Sequence, residues 1–268
     1  MSLTEKDSQF LWHPYTQHKT ASAPIAITKG KGALLWDEND KEYIDAIASW
    51  WVNPYGHSNT FIAEAIYKQL TTLEHVLFGG FTHEPAVVLA EKLMAILPKS
   101  QQKLFFSDNG STAVEVAIKV ALQYFFNKGE KKTTIIAFEN AFHGDTFAAM
   151  AASGISFYTL AFQSMMIDVV RIPVPVVGQE EVSFDALAEV LKNHNCAGFI
   201  YEPLVQGAAG MVMYEPATLD TLIRMCKENN VLTIADEVMT GFGKTGKTFA
   251  SDYLVEQPDM MCLSKALT

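Results

Sequence analysis

Cysteine is scarce: Cys196, Cys226 and Cys262 are the only three in 268 residues, and none falls in a CxxC pair. That spacing excludes a disulfide framework and a zinc knuckle. Cys196 and Cys262, beside or within apolar runs, read as buried, inert thiols. Basic charge is also short. With 20 Lys and Arg against 30 Asp and Glu, the formal charge is −10, so the chain lacks the basic surface that nucleic acid or an anionic membrane needs, and neither is expected as a partner. Internal repeats and low-complexity linkers are absent. The N-terminal MSLTEKDSQFLWHPYT has no apolar h-region and no cleavage pattern, which argues against secretion and makes a cytoplasmic protein the expectation. The one long uncharged stretch, 146–167, contains Ser153, Gly154, Ser156, Thr159, Gln163 and Ser164 and is flanked by Asp145 and Asp168 rather than by basic residues. It reads as buried interior and loop, not as a membrane span.

What is present is a soluble, globular composition, 49% apolar and 19% charged, long enough for one large domain or two ordinary ones. Short β-rich runs at 103–107, 133–139, 169–173, 197–202, 231–236 and 260–264 alternate with helical patterns at 111–127, 183–194 and 217–229. Such alternation predicts an α/β domain with a mostly parallel sheet. The first 50 or so residues differ: runs at 33–36 and 43–44 around the turn-rich Asp37-Glu38-Asn39-Asp40 predict a small hairpin outside that sheet.

Ligands of parallel sheets bind beyond the carboxyl ends of the strands, and five features lie there. FFSDNGST at 105–112 carries a strand into a polar turn and a long helix, so backbone N–H groups and the positive helix end could seat a phosphate, although an ordinary N-cap with Glu115 in the first turn would use the same residues. In FENAFHGDT, 138–146, Phe142 and His143 could sandwich a planar ring next to a glycine that permits close approach. Asp236 ends an apolar strand, where a carboxylate demands a partner: either a salt bridge from elsewhere or a protonated heterocyclic nitrogen. Lys265 follows another apolar run, and its amine either snorkels or is poised for Schiff-base chemistry. GFGKTGKT at 241–248 matches the phosphate-loop pattern GxxxxGK[ST] and proposes an ATP-binding module. Little helical sequence follows it before Pro258, and the acidic strand precedes it, so it reads better as a flexible glycine loop. A phosphate seat, a stacking ring, an acid for a ring nitrogen and a reactive lysine are together the contacts of pyridoxal phosphate (PLP).

SDNGSTAVEVAIK, ENAFHGDT, YEPLVQGAAGM, ADEVMTGFGKTG and LSKALT, in this order across 103–268, resemble the class III aminotransferases of PLP fold type I. LWHPYTQ, SWWVNPYGHSN and HVLFGGFTHEPAVVLAEKL resemble the family's diaminopelargonate-synthase branch, so the resemblance spans almost the whole chain. It implies residues 1–50 as the N-terminal segment of a small domain and 51–268 as an incomplete PLP-binding large domain. It also implies a homodimer that transaminates 8-amino-7-oxononanoate in biotin biosynthesis, with S-adenosylmethionine as the amino donor; another ω-amino acid or polyamine transaminase of the family is the alternative. Carried over by motif, Gly110 and Ser111 would bind the cofactor phosphate, Phe142 would stack on the ring, Asp236 would pair with the pyridine nitrogen and Lys265 would hold the cofactor covalently. Tyr15 and Trp50 would line the substrate pocket. No metal is implied. The family's tyrosine before HGDT is Phe142 here, which keeps stacking and loses a hydroxyl. Met239 stands where many relatives carry glutamine, which removes a hydrogen bond to the ring and favours the diaminopelargonate branch. The family also continues beyond Lys265 into more large-domain structure and a C-terminal small domain, where its substrate-carboxylate arginine and a threonine contributed across the dimer would lie. The chain is thus expected to be the N-terminal portion of such an enzyme.

Overall fold

In the computed structural model, which describes residues 1–154 and 156–267, the chain divides into two units, Met1–Phe81 and Thr82–Thr268. The expected division at 50 and 51 falls inside the first of them.

The first unit opens with helix α1, Leu3–Phe10, started by a capping box between Ser2 and Glu5. Strands β1 (Ile27–Lys31), β2 (Leu34–Asp37) and β3 (Glu42–Ile44) follow as an antiparallel sheet. The predicted hairpin is its second half. Its turn closes on Asp37, whose Oδ1 accepts from the amides of Asn39 (2.9 Å) and Lys41 (3.0 Å) while Oδ2 accepts from the Tyr43 hydroxyl (2.9 Å). The next element, α2 (Ala48–Trp51), is a single left-handed turn: Ala48, Ser49, Trp50 and Trp51 have φ of +47°, +49°, +68° and +68°. Each such L-residue costs ~1–2 kcal/mol, so the turn requires an external hold. Helix α3, Thr60–Leu70, begins where Asn59 Oδ1 caps the Ile62 amide (3.2 Å), and it contains no buried residue.

The second unit is a five-stranded, wholly parallel sheet between helices. Its elements in chain order are α4 (Glu84–Ile96), α5 (Gly110–Asn127), β4 (Thr134–Phe138), α6 (Phe147–Ala152), β5 (Val169–Ile172), α7 (Glu180–Asn193), β6 (Cys196–Tyr201), β7 (Val205–Gln206), β8 (Val212–Met213), α8 (Pro216–Glu228), β9 (Leu232–Asp236) and β10 (Met260–Cys262). The large sheet runs β10-β9-β6-β4-β5, and β7 and β8 form a separate two-stranded ribbon. Period-two alternation sends each strand's side chains to both faces. Ile136, Phe138, Phe199 and Tyr201 pack with Leu187, Leu219, Leu222 and Ile223 of α7 and α8. On the other face, Ile135, Ile200 and Ile234 pack with Val114, Ile118 and Phe125 of α5. Each fully buried side chain of this size contributes ~1.5–3 kcal/mol, and both faces are covered, as a parallel sheet requires.

One expectation needs correction, and another resolves into its two parts. The run 103–107 is not a strand: it pairs with none of the sheet strands, and Phe105 and Phe106 are exposed. A β-rich composition makes a strand only where a neighbouring edge accepts its hydrogen bonds. The stretch 146–167 is buried only in its first half, where α6 packs Ala148, Ala149 and Ala152 into the core. Beyond position 155, which lies outside the described residues, Thr159 Oγ1 bonds both the amide and the carbonyl of Ser156, the chain turns into a two-turn 3-10 helix (Leu160–Met165), and Phe157, Tyr158 and Leu160 are exposed. Among the described residues no helix is long and apolar enough to cross a membrane. All three cysteines are free and buried, and burial pushes the Cys196 thiol up to about 11.

Candidate active site

The second unit gathers its polar residues beyond the carboxyl ends of β4, β6, β9 and β10, which lie side by side in the sheet. Asp236 is the last residue of β9, paired in register with Cys262 of β10, and Lys265 follows three residues later. Helix α5 starts against the same corner: a Cβ on Gly110 would lie 2.8 Å from Val238 Cγ1 and 3.5 Å from Ser264 Cβ. Only glycine fits there, and its absence of a side chain brings the helix start next to the chain neighbour of Lys265.

The α5 terminus is built to receive an anion. Asn109 Oδ1 accepts from the Thr112 amide, and Thr112 Oγ1 returns a bond to the Asn109 amide, both at 3.0 Å. The amides of Gly110 and Ser111 have no acceptor among the described residues, and they point with the positive end of an 18-residue helix. Glu115 does not belong to that cap. Its Oε2 accepts from the amides of Ala148 (2.9 Å) and Ala149 (3.3 Å) and so caps α6. The loop after β4 folds onto the same turn: Gly144 has φ +126°, a Cβ there would fall 2.2 Å from Ser111 Oγ, and the Asp145 amide donates to that oxygen at 3.2 Å.

Phe142 and His143 separate in role. Phe142 keeps an exposed ring and donates its amide to Glu202 Oε1 at 3.0 Å. The His143 side chain is fully buried, and its Nδ1 meets Asp236 Oδ2 at 2.7 Å. His143 is therefore not one face of a ring sandwich, as its sequence position suggested, but the partner of the buried carboxylate. The other Asp236 oxygen accepts from the Val238 amide at 3.1 Å. His143 Nε2 is buried without a hydrogen-bond partner among the described residues.

Two acids that the sequence reading passed over frame this core. Glu202, just past β6, accepts from the amides of Phe142 and Gly207 (2.8 Å), and burial raises its pKa. Glu237, fully buried beside Asp236, accepts from Thr240 Oγ1 (2.5 Å) and from the amides of Ala250 (3.1 Å) and Ser251 (2.7 Å). Their common signal was available, since each acid directly follows or ends an apolar strand. Lys265 is half-buried and left-handed, with φ +43°. Burial lowers the pKa of its amine, against the charges of Asp236 and Glu202, which raise it, and Lys244 lowers it further.

The glycine loop 241–248 does not behave as a nucleotide phosphate loop. A single 3-10 turn, Ala250–Tyr253, follows it instead of a helix. Lys247 Nζ donates to the Asp252 carbonyl (2.7 Å) and lies 4.3 Å from the centre of the Tyr253 ring. Glu237 ties the two ends of the loop together. In the first unit, Tyr15 and Trp50 meet edge to face, with ring centroids 5.9 Å apart and planes at 81°.

The second-unit residues fit PLP in their donor set: an anion seat with unused amides, a buried carboxylate oriented by a histidine, an exposed aromatic face and an amine of lowered pKa. Comparison with known proteins agrees with that chemistry. The family model for class III aminotransferases matches residues 15–268. The adenosylmethionine-8-amino-7-oxononanoate aminotransferase of Synechococcus elongatus is 47% identical over 266 residues, covering 96% of this chain. The solved enzyme of that name from Methanocaldococcus jannaschii is 36% identical with a TM-score of 0.92 over 99% of this chain. An ω-transaminase from Pseudomonas jessenii, solved in complex with PMP, is 31% identical with a TM-score of 0.92 over the whole chain. The chain spans 63% of the length of the Synechococcus relative, and 62% and 63% of the two solved chains. The fold is that of the PLP-dependent transferases of type I, and the chain belongs to the class III aminotransferase family.

Proposed function

We propose that this chain carries the cofactor-binding machinery of a PLP-dependent transaminase that converts 8-amino-7-oxononanoate to 7,8-diaminononanoate in biotin biosynthesis, with S-adenosylmethionine as donor. The observation that carries the proposal is the convergence of a buried, histidine-oriented Asp236 and the depressed-pKa Lys265 at the ends of the adjacent strands β9 and β10. Gly110 and Ser111 would hold the cofactor phosphate at the α5 terminus, Phe142 would cover a face of the ring, Asp236 would pair with the pyridine nitrogen, and Lys265 would hold the cofactor. When bound, PLP supplies an electron-withdrawing ring that lets an amino-bearing carbon lose a proton.

The chain's own residues do the rest. The Asp236 carboxylate, turned by His143 and Val238, would offer an acceptor to the ring N–H, and its burial strengthens that interaction. Lys265, neutral at a lower pH than a solvated lysine, would take the proton from the substrate carbon as general base and give it back as general acid. Tyr15 and Trp50 would flank the long aliphatic chain of the acceptor. The relatives' names supply the substrate pair. A cytoplasmic homodimer completes the proposal, with residues 1–50 part of a small domain.

The test is incubation with PLP, borohydride reduction and mass mapping of the chain. A pyridoxyl group dominant on Lys265, lost in Lys265→Ala together with at least ~10²–10⁴-fold of turnover, is the expected result. An adduct spread over surface lysines, or full turnover in the variant, overturns the proposal. A second reading is favoured by the similarity to the Pseudomonas jessenii ω-transaminase. Activity with simple ω-amines in place of S-adenosylmethionine selects it.

A further inference from the structure

The left-handed turn α2 presents an exposed aromatic from a backbone that L-residues avoid. Trp50 is 58% exposed, its ring met by the edge of Tyr15, so little packing fixes the indole and its direction depends on the backbone. Four successive left-handed residues persist only where neighbouring groups over-determine them. Asp45 is the group that does so. Its Oδ1 accepts from the Ser49 amide at 2.9 Å, its Oδ2 accepts from Ser49 Oγ at 2.7 Å, and its carbonyl accepts from the Ala48 amide at 3.2 Å.

The carboxylate is itself held. His57 Nε2 faces Asp45 Oδ2 at 2.8 Å, while Asn53 Nδ2 donates to His57 Nδ1 at 2.8 Å, which puts the imidazole proton on the side of the acid. His57 is pinned to the turn between β1 and β2 by a reciprocal pair of backbone bonds with Gly32 (2.8 and 3.0 Å), and Gly30 leaves room for its ring: a Cβ there would lie 2.9 Å from His57 Cβ. The chain of contacts runs from the sheet through His57 and Asp45 to Ser49, and ends on Trp50 against Tyr15.

We infer that Asp45 is a positioning residue: its carboxylate, oriented by His57, holds the strained turn that fixes the direction of the Trp50 indole, the side chain proposed above to flank the acceptor. The role toward substrate rests on the transaminase reading; the hold on the turn does not. The Ser49 donors and His57 keep the Asp45 carboxyl down at about 2, the direction expected of an acid that works only as an ionised acceptor.

The experiment compares the full chain with its Asp45→Ala variant by indole ¹H–¹⁵N NMR, with the Trp50 resonance assigned by its loss in Trp50→Phe. In Asp45→Ala the Trp50 resonance moves or broadens while that of Trp36, on β2, stays. In turnover assays, KM for the keto-acid acceptor rises about tenfold, with kcat within about threefold, the signature of lost substrate positioning rather than lost chemistry. Adding Ser49→Gly, which accepts a left-handed φ without strain, restores part of the KM and the Trp50 line. An unmoved Trp50 resonance in Asp45→Ala overturns the inference, as does a kcat loss without a KM change. Should Asp45→Ala unfold, Ser49→Ala removes one donor only; a smaller move of the same resonance is then expected, and none overturns the inference. A wild-type chain that forms no pyridoxyl adduct on Lys265 defeats the transaminase reading instead, and leaves the NMR result to stand by itself.

Discussion

Lys265 sits among opposing charges, and this gives its reactivity a sign that can be tested. Burial lowers the pKa of its amine most, Asp236 and Glu202 raise it, and Lys244 lowers it. Only the neutral amine attacks an aldehyde, so PLP capture at Lys265 rises with pH through that lowered pKa. Glu202→Gln removes a charge that favours the ammonium. The capture profile then shifts to lower pH, above the raised pKa of Glu202 itself, where the wild-type side chain is ionised. Lys244→Gln removes a repulsion, and the profile shifts to higher pH. The second shift shrinks with added salt, because Lys244 is exposed and screened. Mass mapping of Lys265 after timed reduction reads both; shifts in the same direction would refute the charge balance. Gly110, Ser111, Asp236 and Lys265 stand out in the sequence because each lies where an apolar run meets a polar turn, although only the runs before Asp236 and Lys265 are strands. The role of His143 was not legible, since its partner lies 93 residues away and only the sheet order brings them together. Glu202 and Glu237 were hidden in the same way: their partners are amides of loops that return to them.

At the scale of elements, the alternation of apolar runs and helical patterns reported the parallel sheet faithfully, with each strand found within one or two residues of its expected ends. The run 103–107 failed because composition measures fitness for a sheet and not the presence of a neighbour; Phe105 is 74% exposed. The left-handed α2 left no trace, since ASWW contains no glycine to announce it. The loop after β4 is the element where geometry is least forgiving. Gly144 has φ +126° and no room for a Cβ against Ser111. Gly144→Ala therefore combines backbone strain with a clash on the first turn of α5, a loss of roughly 2–4 kcal/mol. Thermal unfolding should show Tm lower by roughly 5–15 °C, and the variant should also lose part of the stabilisation that PLP gives, because the displaced turn is the proposed phosphate seat. An unchanged Tm would mean that the loop moves freely away from α5, contrary to the Asp145 to Ser111 bond.

At the scale of the whole molecule, the first unit leaves apolar surface that its own sheet does not cover. Phe61 and Tyr67 on α3 are 81% and 71% exposed, and Ile66 and Leu70 accompany them on a helix with no buried residue. Large apolar side chains this exposed around one helix mark it for contact rather than for solvent. The proposed homodimer gives them a use. Two copies carrying −10 each repel at long range, so salt separates the alternatives. Association through α3 tightens as salt screens the repulsion and strengthens apolar burial, whereas association through surface ion pairs weakens. Sedimentation equilibrium of the purified chain should therefore show a dimer whose dissociation constant falls between 50 and about 500 mM salt, and Phe61→Lys with Tyr67→Lys should return it to monomer. A monomer at every salt concentration, or a dimer indifferent to both substitutions, would remove α3 from the interface and leave its aromatics to be covered by something other than a second copy.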